Sequence, residues 1–272
     1  MIPVMDRQDA LAALMWQIEL GADEAIGDEP IDRFAAPAPA PEPAASPSGG
    51  PDMGGVASRG VDPGQAAPVP AGPADGGAGQ IAAACGSLEE LRAAMDAFEG
   101  CALKKGARST VFADGMPQAR VMIVGEAPGR EEDAAGKPFV GASGQLLDQM
   151  LAAIGLSRSA ETPEAAVYIT NVLPWRPPQN RDPSSDEMVM MSAFLERHIA
   201  LAAPQVLVTM GNAATKTLLQ TATGITRMRG KWATYGDVPV LPMFHPAALL
   251  RNPLQKRAAW ADLLALKARL GS

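Results

Sequence analysis

The 272-residue chain predicts an α/β fold: three layers, α/β/α, about a central four-stranded parallel sheet. Three observations predict it. Four strand-length apolar runs, at 121–124, 167–170, 206–210 and 238–244, are continuous rather than alternating, the pattern of strands buried on both faces. Helix-period segments separate these runs, so crossovers join the strands and the strands lie parallel. Each run also ends on polar or conformationally special residues: Gly125-Glu126-Ala127-Pro128-Gly129, Asn171, Gly211-Asn212 and His245-Pro246. Open parallel sheets bind ligands beyond the carboxyl ends of their strands, which gathers Glu126, Asn171 and His245 around one predicted cleft.

Taken in order, residues 6–26 carry Leu11, Leu14, Met15 and Ile18 at helical spacing after Asp6, a candidate N-cap. A short amphipathic helical segment is expected within residues 1–34. Its apolar stripe needs a cover, either the main domain or a protein partner. Residues 35–80 are almost entirely Ala, Pro, Gly and Ser, with too few large apolar side chains to offset the entropy of ordering, and are expected to be a disordered linker. Residues 81–272 are the expected folded domain. Its first helix has Ser87 and Glu90 as a capping box and runs to about Phe98. The next, 144–154, repeats Leu146, Leu147, Met150, Leu151 and Ile154 and stops at Gly155. A third spans 185–202 behind Ser184 and Glu187, and a fourth spans 212–219. The last helix starts at Asn252-Pro253, a cap followed by a first-turn proline, and carries Leu263, Leu264 and Leu266.

The formal charge of −7 argues against a wholly basic nucleic-acid binder, but it is unevenly placed. Residues 1–80 hold twelve acids against three bases, and the remainder eighteen against twenty, so the folded part is free to present a basic face to phosphates. No apolar run approaches the roughly 20 residues that span a bilayer, and the start of the chain lacks a basic-then-apolar leader; a cytoplasmic monomer is expected. Cys85 and Cys101 are expected as free thiols. Of the two histidines, His198 lies inside a helix and is expected to be exposed there, whereas His245 closes a strand and is a functional candidate.

Four motifs, each weak alone, are specific together. They are Gly-Glu-Ala-Pro-Gly (125–129), Lys-Pro-Phe-Val-Gly (137–141), Thr-Asn-Val (170–172) leading into Arg-Pro-Pro-Gln-Asn-Arg-Asp-Pro (176–183), and His-Pro-Ala-Ala-Leu-Leu-Arg (245–251). The loop 170–183 is stiffened by four prolines, while Arg176, Arg181 and Trp175, expected to be exposed there, suit phosphate and base contacts. Asn171 offers both a donor and an acceptor, as an amide-like ring edge requires. Together they closely resemble family 4 uracil-DNA glycosylases, over about residues 87–270.

The resemblance implies a DNA repair enzyme that flips deoxyuridine from DNA and hydrolyses its glycosidic bond. Phe139 would stack on the uracil, Asn171 would read its polar edge, and His245 would donate to O2 of the departing base, with Gly125 and Ala127 completing the pocket. Leu249 and Leu250 would wedge the duplex, with Arg251, Arg176 and Arg181 on phosphates. Water activation is open: the best-known relatives keep an aspartate where Ala127 stands, leaving Glu132, then Glu126, with Asp133 a third candidate. The resemblance also implies an iron-sulfur cluster held by four cysteines, yet only Cys101 matches; Phe98, Trp175 and Met191 stand at the other three places. No cluster and no other metal is therefore expected. Two further readings remain open at this point, a non-catalytic or trapping binder of uracil-containing or abasic DNA, and a repair scaffold recruiting a partner through the N-terminal helix.

Overall fold

A computed structural model of the protein describes residues 77–271. The expected N-terminal helical segment and all but the end of the expected linker lie outside the described residues. The elements in order are α1 (Ala78–Ala84), α2 (Leu88–Ala97), β1 (Asp114–Gly115), β2 (Val121–Gly125), α3 (Arg130–Ala135), α4 (Ala142–Ala152), β3 (Val167–Asn171), α5 (Ser185–Ala202), β4 (Val206–Met210), α6 (Gly211–Leu219), α7 (Ile225–Met228), β5 (Ala233–Tyr235), β6 (Val238–Met243), α8 (Pro246–Arg251) and α9 (Lys256–Leu270).

The sheet order is β1-β3-β2-β4-β6-β5. Its four central strands are parallel, as predicted, but β1 and β5 extend it as short antiparallel edges, so the sheet has six strands rather than four. Side chains of β2, β3 and β4 are buried throughout, because each face of the sheet is covered. On one face Val121, Ile123, Val167, Ile169 and Val208 pack under Leu147 and Leu151 of α4 and Leu263 and Leu266 of α9. On the other, Met122, Val124, Leu207 and Val240 meet Leu195 and Ile199 of α5 and Ala214 and Leu218 of α6. Each such leucine, fully buried, contributes about 1.5–3 kcal/mol of transfer free energy.

Local signals fix several boundaries. Ser184 accepts the Glu187 N–H while the Glu187 carboxylate takes the Ser184 N–H, a complete capping box at the start of α5. Ser87 likewise caps α2, but the Glu90 carboxylate reaches one residue further back, to the Gly86 N–H. Helix α4 begins two residues before the expected start, since Gly144 in its first turn carries no Cβ to overlap the Phe139 carbonyl. Helix α1 begins inside the stretch read as linker, where Ala78 and Ala82, one turn apart, bury against a third cluster with Leu173, Trp175, Met191 and Phe194.

His198 is not exposed, contrary to expectation. It lies on the α5 stripe formed by Met191, Phe194 and Leu195, stacks on Phe112 at 4.4 Å between centroids, and its Nε2 meets the Tyr168 hydroxyl at 2.9 Å. Burial pushes its pKa down to about 4, so it is a neutral core histidine. No described helix is long and apolar enough to cross a membrane.

Candidate active site

Register builds the floor of the cleft. Gly125 and Asn171, the last residues of β2 and β3, are direct partners across the parallel pair. A Cβ on Gly125 would lie 2.6 and 2.7 Å from two ring carbons of Phe139 and against Asn171 Oδ1, so only glycine leaves both side chains where they stand. From β6 the chain passes through Phe244 to His245, the N-cap of α8. These ends open into a cleft of about 1240 Å³ whose lining includes Glu126, Ala127, Glu132, Phe139, Asn171 and His245. The polar strand ends predicted to converge therefore do so.

Asn171 is only 7% exposed, yet among the described residues its side-chain amide has no hydrogen-bond partner. The amide opens onto the cleft rather than being sealed from solvent, so it is free to meet a ligand with complementary donors and acceptors. Phe139, 5% exposed, stands beside it, its ring centroid 5.3 Å from that of His245. Its backbone is left-handed, with φ 53°, a conformation rarely adopted by aromatic residues and upheld here by surrounding bonds.

His245 Nδ1 accepts the Ala247 N–H at 3.1 Å, which leaves the ring proton on Nε2. Burial first, then the nearby Arg251 cation, push its pKa down to about 4, with Glu132 pulling the other way. The group is thus a neutral imidazole with one N–H donor.

The two glutamates differ. Glu132 is buried, and its carboxylate accepts three backbone N–H groups: Gly129 at 3.1 Å, and Val140 and Gly141 at 3.0 Å each. It staples the 125–129 loop to the 139–141 loop, leaving little capacity to hold a water. Glu126 lines the same cleft with no side-chain hydrogen bond among the described residues, and burial followed by the facing Asp182 pushes its pKa up. Asp133 accepts the Arg108 and Ser109 N–H groups and faces away from this chemistry.

The predicted DNA-facing residues divide. Leu249 is 1% exposed and packs with Ile225, Phe244 and Ala259, which removes it from any surface role. Leu250 is 45% exposed, and Arg251, at the cleft edge, makes no ion pair among the described residues. Arg181 also lines the cleft but forks onto Glu187 at 2.6 and 2.9 Å, while Arg176 donates to Asn180 at 2.7 Å. Sequence reasoning overlooked Arg158, whose guanidinium reaches Pro138 and Phe139 from the α4–β3 connection.

Cys101, Phe98, Trp175 and Met191 are all buried in one apolar cluster, so Trp175, 1% exposed, is a core residue and not the exposed base-contacting side chain expected of its loop. Phe98 packs edge-on against Phe194, with centroids 5.2 Å apart, and the Trp175 indole N–H is satisfied by Thr110 Oγ1 at 3.1 Å. One thiol among three large apolar side chains does not fit an iron-sulfur cluster, which needs four thiolates. No group of three or more His, Cys, Asp or Glu positioned to hold a metal occurs among the described residues.

The sequence profile of the uracil DNA glycosylase superfamily matches residues 112–264. The chain is 40% identical to the type-4 uracil-DNA glycosylase of Sulfurisphaera tokodaii over 176 residues, 61% of this chain and 77% of that protein. It is 39% identical to the type-4 uracil-DNA glycosylase of Saccharolobus solfataricus, over 63% of this chain and 81% of the relative. For the type-4 uracil-DNA glycosylase of Thermotoga maritima the identity is 38%, over 56% of this chain and 77% of the relative.

Proposed function

We infer from membership of the uracil DNA glycosylase superfamily, to which this chain belongs, that it removes uracil from DNA, hydrolysing the N-glycosidic bond to leave free uracil and an abasic site. The observation that carries the site assignment is the unpartnered Asn171 amide at the end of β3, aimed into a cleft that it shares with a neutral His245.

The flipped base enters beside Phe139, which supplies an apolar ring to replace lost stacking, and Asn171 reads its polar edge. As the C1′–N1 bond breaks, electrons move onto the base and the sugar becomes oxocarbenium-like. The His245 Nε2–H donates to O2 of the leaving uracil and stabilises its negative charge; one preorganised donor of this kind is worth about 3 kcal/mol. Because that imidazole is neutral, it acts as a hydrogen-bond donor to an anion and need not transfer its proton.

We place the water-orienting role on Glu126 rather than Glu132. Three backbone donors already occupy Glu132, while Glu126 is free and faces the cleft. Water adds to C1′, its proton passing to the carboxylate. Arg251 and Leu250 form the DNA-facing edge; Arg181 joins them by exchanging Glu187 for a phosphate. Phe98, Trp175 and Met191 complete the fold by packing in place of a cluster. The enzyme works as a monomer in the cytoplasm, and its catalytic domain starts with α1 at Ala78, whose side chain is part of the folded core.

Uracil release from a uracil-containing oligonucleotide tests the assignment. Asn171→Ala and His245→Ala should each lower the single-turnover rate by about tenfold or more, equivalent to at least about 1.4 kcal/mol. Wild-type rates in both would refute the site, and tight binding by the unaltered protein without uracil release would make it a reader of damaged DNA.

A further inference from the structure

The Phe139 segment is gripped from both sides by opposite charges. On one side Glu132 accepts the N–H groups of Val140 and Gly141. On the other, Arg158 Nη1 donates to the Pro138 carbonyl at 2.9 Å and Nη2 to the Phe139 carbonyl at 2.8 Å. The guanidinium is itself fixed: Nε donates to Asp148 of α4 at 2.8 Å, and Nη1 meets Asp114 of β1 at 3.1 Å. The Arg158 side chain is 14% exposed and four of its five N–H donors are engaged, so this is a largely enclosed fork rather than a surface ion pair. What it holds is the one left-handed aromatic residue of the described chain, whose carbonyl passes over the bare Gly144.

We propose that Arg158 is a positioning residue for base excision: by bonding two successive carbonyls it sets the backbone of Phe139, and through it the angle at which the ring meets the flipped base. This rests on Phe139 being the stacking residue. A left-handed phenylalanine relaxes toward extended backbone if released, and relaxation would swing the ring out of the pocket. Lysine cannot substitute, because a single ammonium on a flexible stem does not span both carbonyls while pairing with two carboxylates. The group acts on the reaction without touching DNA, so its loss should appear in the rate of the bound complex and not in DNA affinity.

The test is a double-mutant cycle with Phe139→Ala, Arg158→Ala and the pair, read as single-turnover uracil release, with DNA affinity and melting temperature measured on the same samples. Arg158→Ala should slow release roughly tenfold with DNA affinity little changed, and on the Phe139→Ala background should cost nothing further. Arg158→Lys, which keeps charge and stem and guards against a misfolded alanine variant, should remain slow. Losses that multiply in the double variant, or near-wild-type release by Arg158→Lys, would overturn the proposal. Failure of the unaltered protein to release uracil would instead strike the functional reading itself.

Discussion

Truncating Leu249 and Leu250 one at a time separates packing from DNA contact at adjacent positions of α8. Leu249 is 1% exposed against Ile225, Phe244 and Ala259, so Leu249→Ala opens a cavity beneath the helix that His245 caps. Core Leu→Ala changes cost about 2–5 kcal/mol, and in a folded unit of this size each kcal/mol lowers Tm by roughly 2–4 °C. A fall of about 6–12 °C is expected for a mid-range cost of about 3 kcal/mol. Leu250 is 45% exposed, and Leu250→Ala should shift stability by no more than about 0.5 kcal/mol. Its effect should appear instead on duplex substrate, where an apolar wedge offsets unstacking worth about a few kcal/mol, while release from single-stranded DNA stays near normal. The assay is a thermal melt paired with uracil release from single- and double-stranded oligonucleotides of one sequence. If Leu249→Ala melted like the unaltered protein and lost only duplex activity, the division drawn here would be reversed.

The pH profile should have no alkaline limb near 6.5, because His245 is neutral down to about pH 4 and an imidazolium acid is not required. An acid limb should lie above the ordinary carboxylate value of 4.5, since Glu126 is raised by burial and activity is lost as it protonates on acidification; Glu126→Gln should be slow and lack that limb. Loss of rate on raising pH through 6.5 would contradict the donor role. Both histidines are pushed down to about 4 from 6.5, so the stability they contribute is present above pH 6.5 and lost as pH falls toward 4. For the enclosed His198 this is about 3 kcal/mol. A melt from pH 7 to pH 4 should show the loss, reduced in His198→Phe. Anaerobically purified protein should lack stoichiometric iron and charge-transfer absorption; finding both would refute the packing-for-cluster reading.

What the sequence disclosed depended on whether the deciding forces were local. The central strands were legible because burial on both faces demands unbroken apolar runs, and α5 was bounded correctly because Ser184 and Glu187 satisfy its first turn within four residues. The edge strands were not, since β1 is two residues long and exists only by pairing with β3. For β5 a signal was present and missed: Gly236-Asp237, with Gly236 at φ 56°, joins it to β6 as a two-residue hairpin. His198 was misread because helical spacing to Met191 and Leu195 places it inward, and its partner Tyr168 is 30 residues away. Arg158 carried no motif; its carbonyl partners lie 19 and 20 residues off in sequence. Leu249 and Leu250 are chemically identical, and only the direction of α8 distinguishes them.

The same long-range order that hid those residues ties fold to chemistry. Val121, Ile123 and Gly125 alternate onto one face of β2, with Val167, Ile169 and Asn171 opposite them on β3, and Phe139 belongs to the cluster on that face. Apolar packing therefore sets the register, and the register in turn places a missing side chain beside an unpartnered amide under an aromatic ring. A slip of one residue would carry Val167 and Ile169 to the other face and set Thr170, which now donates to the Phe112 carbonyl, opposite Gly125. The pocket needs no separate device to hold its floor: the transfer free energy of the core under α4 and α9 resists that slip, and the loop above is left to Glu132 and Arg158.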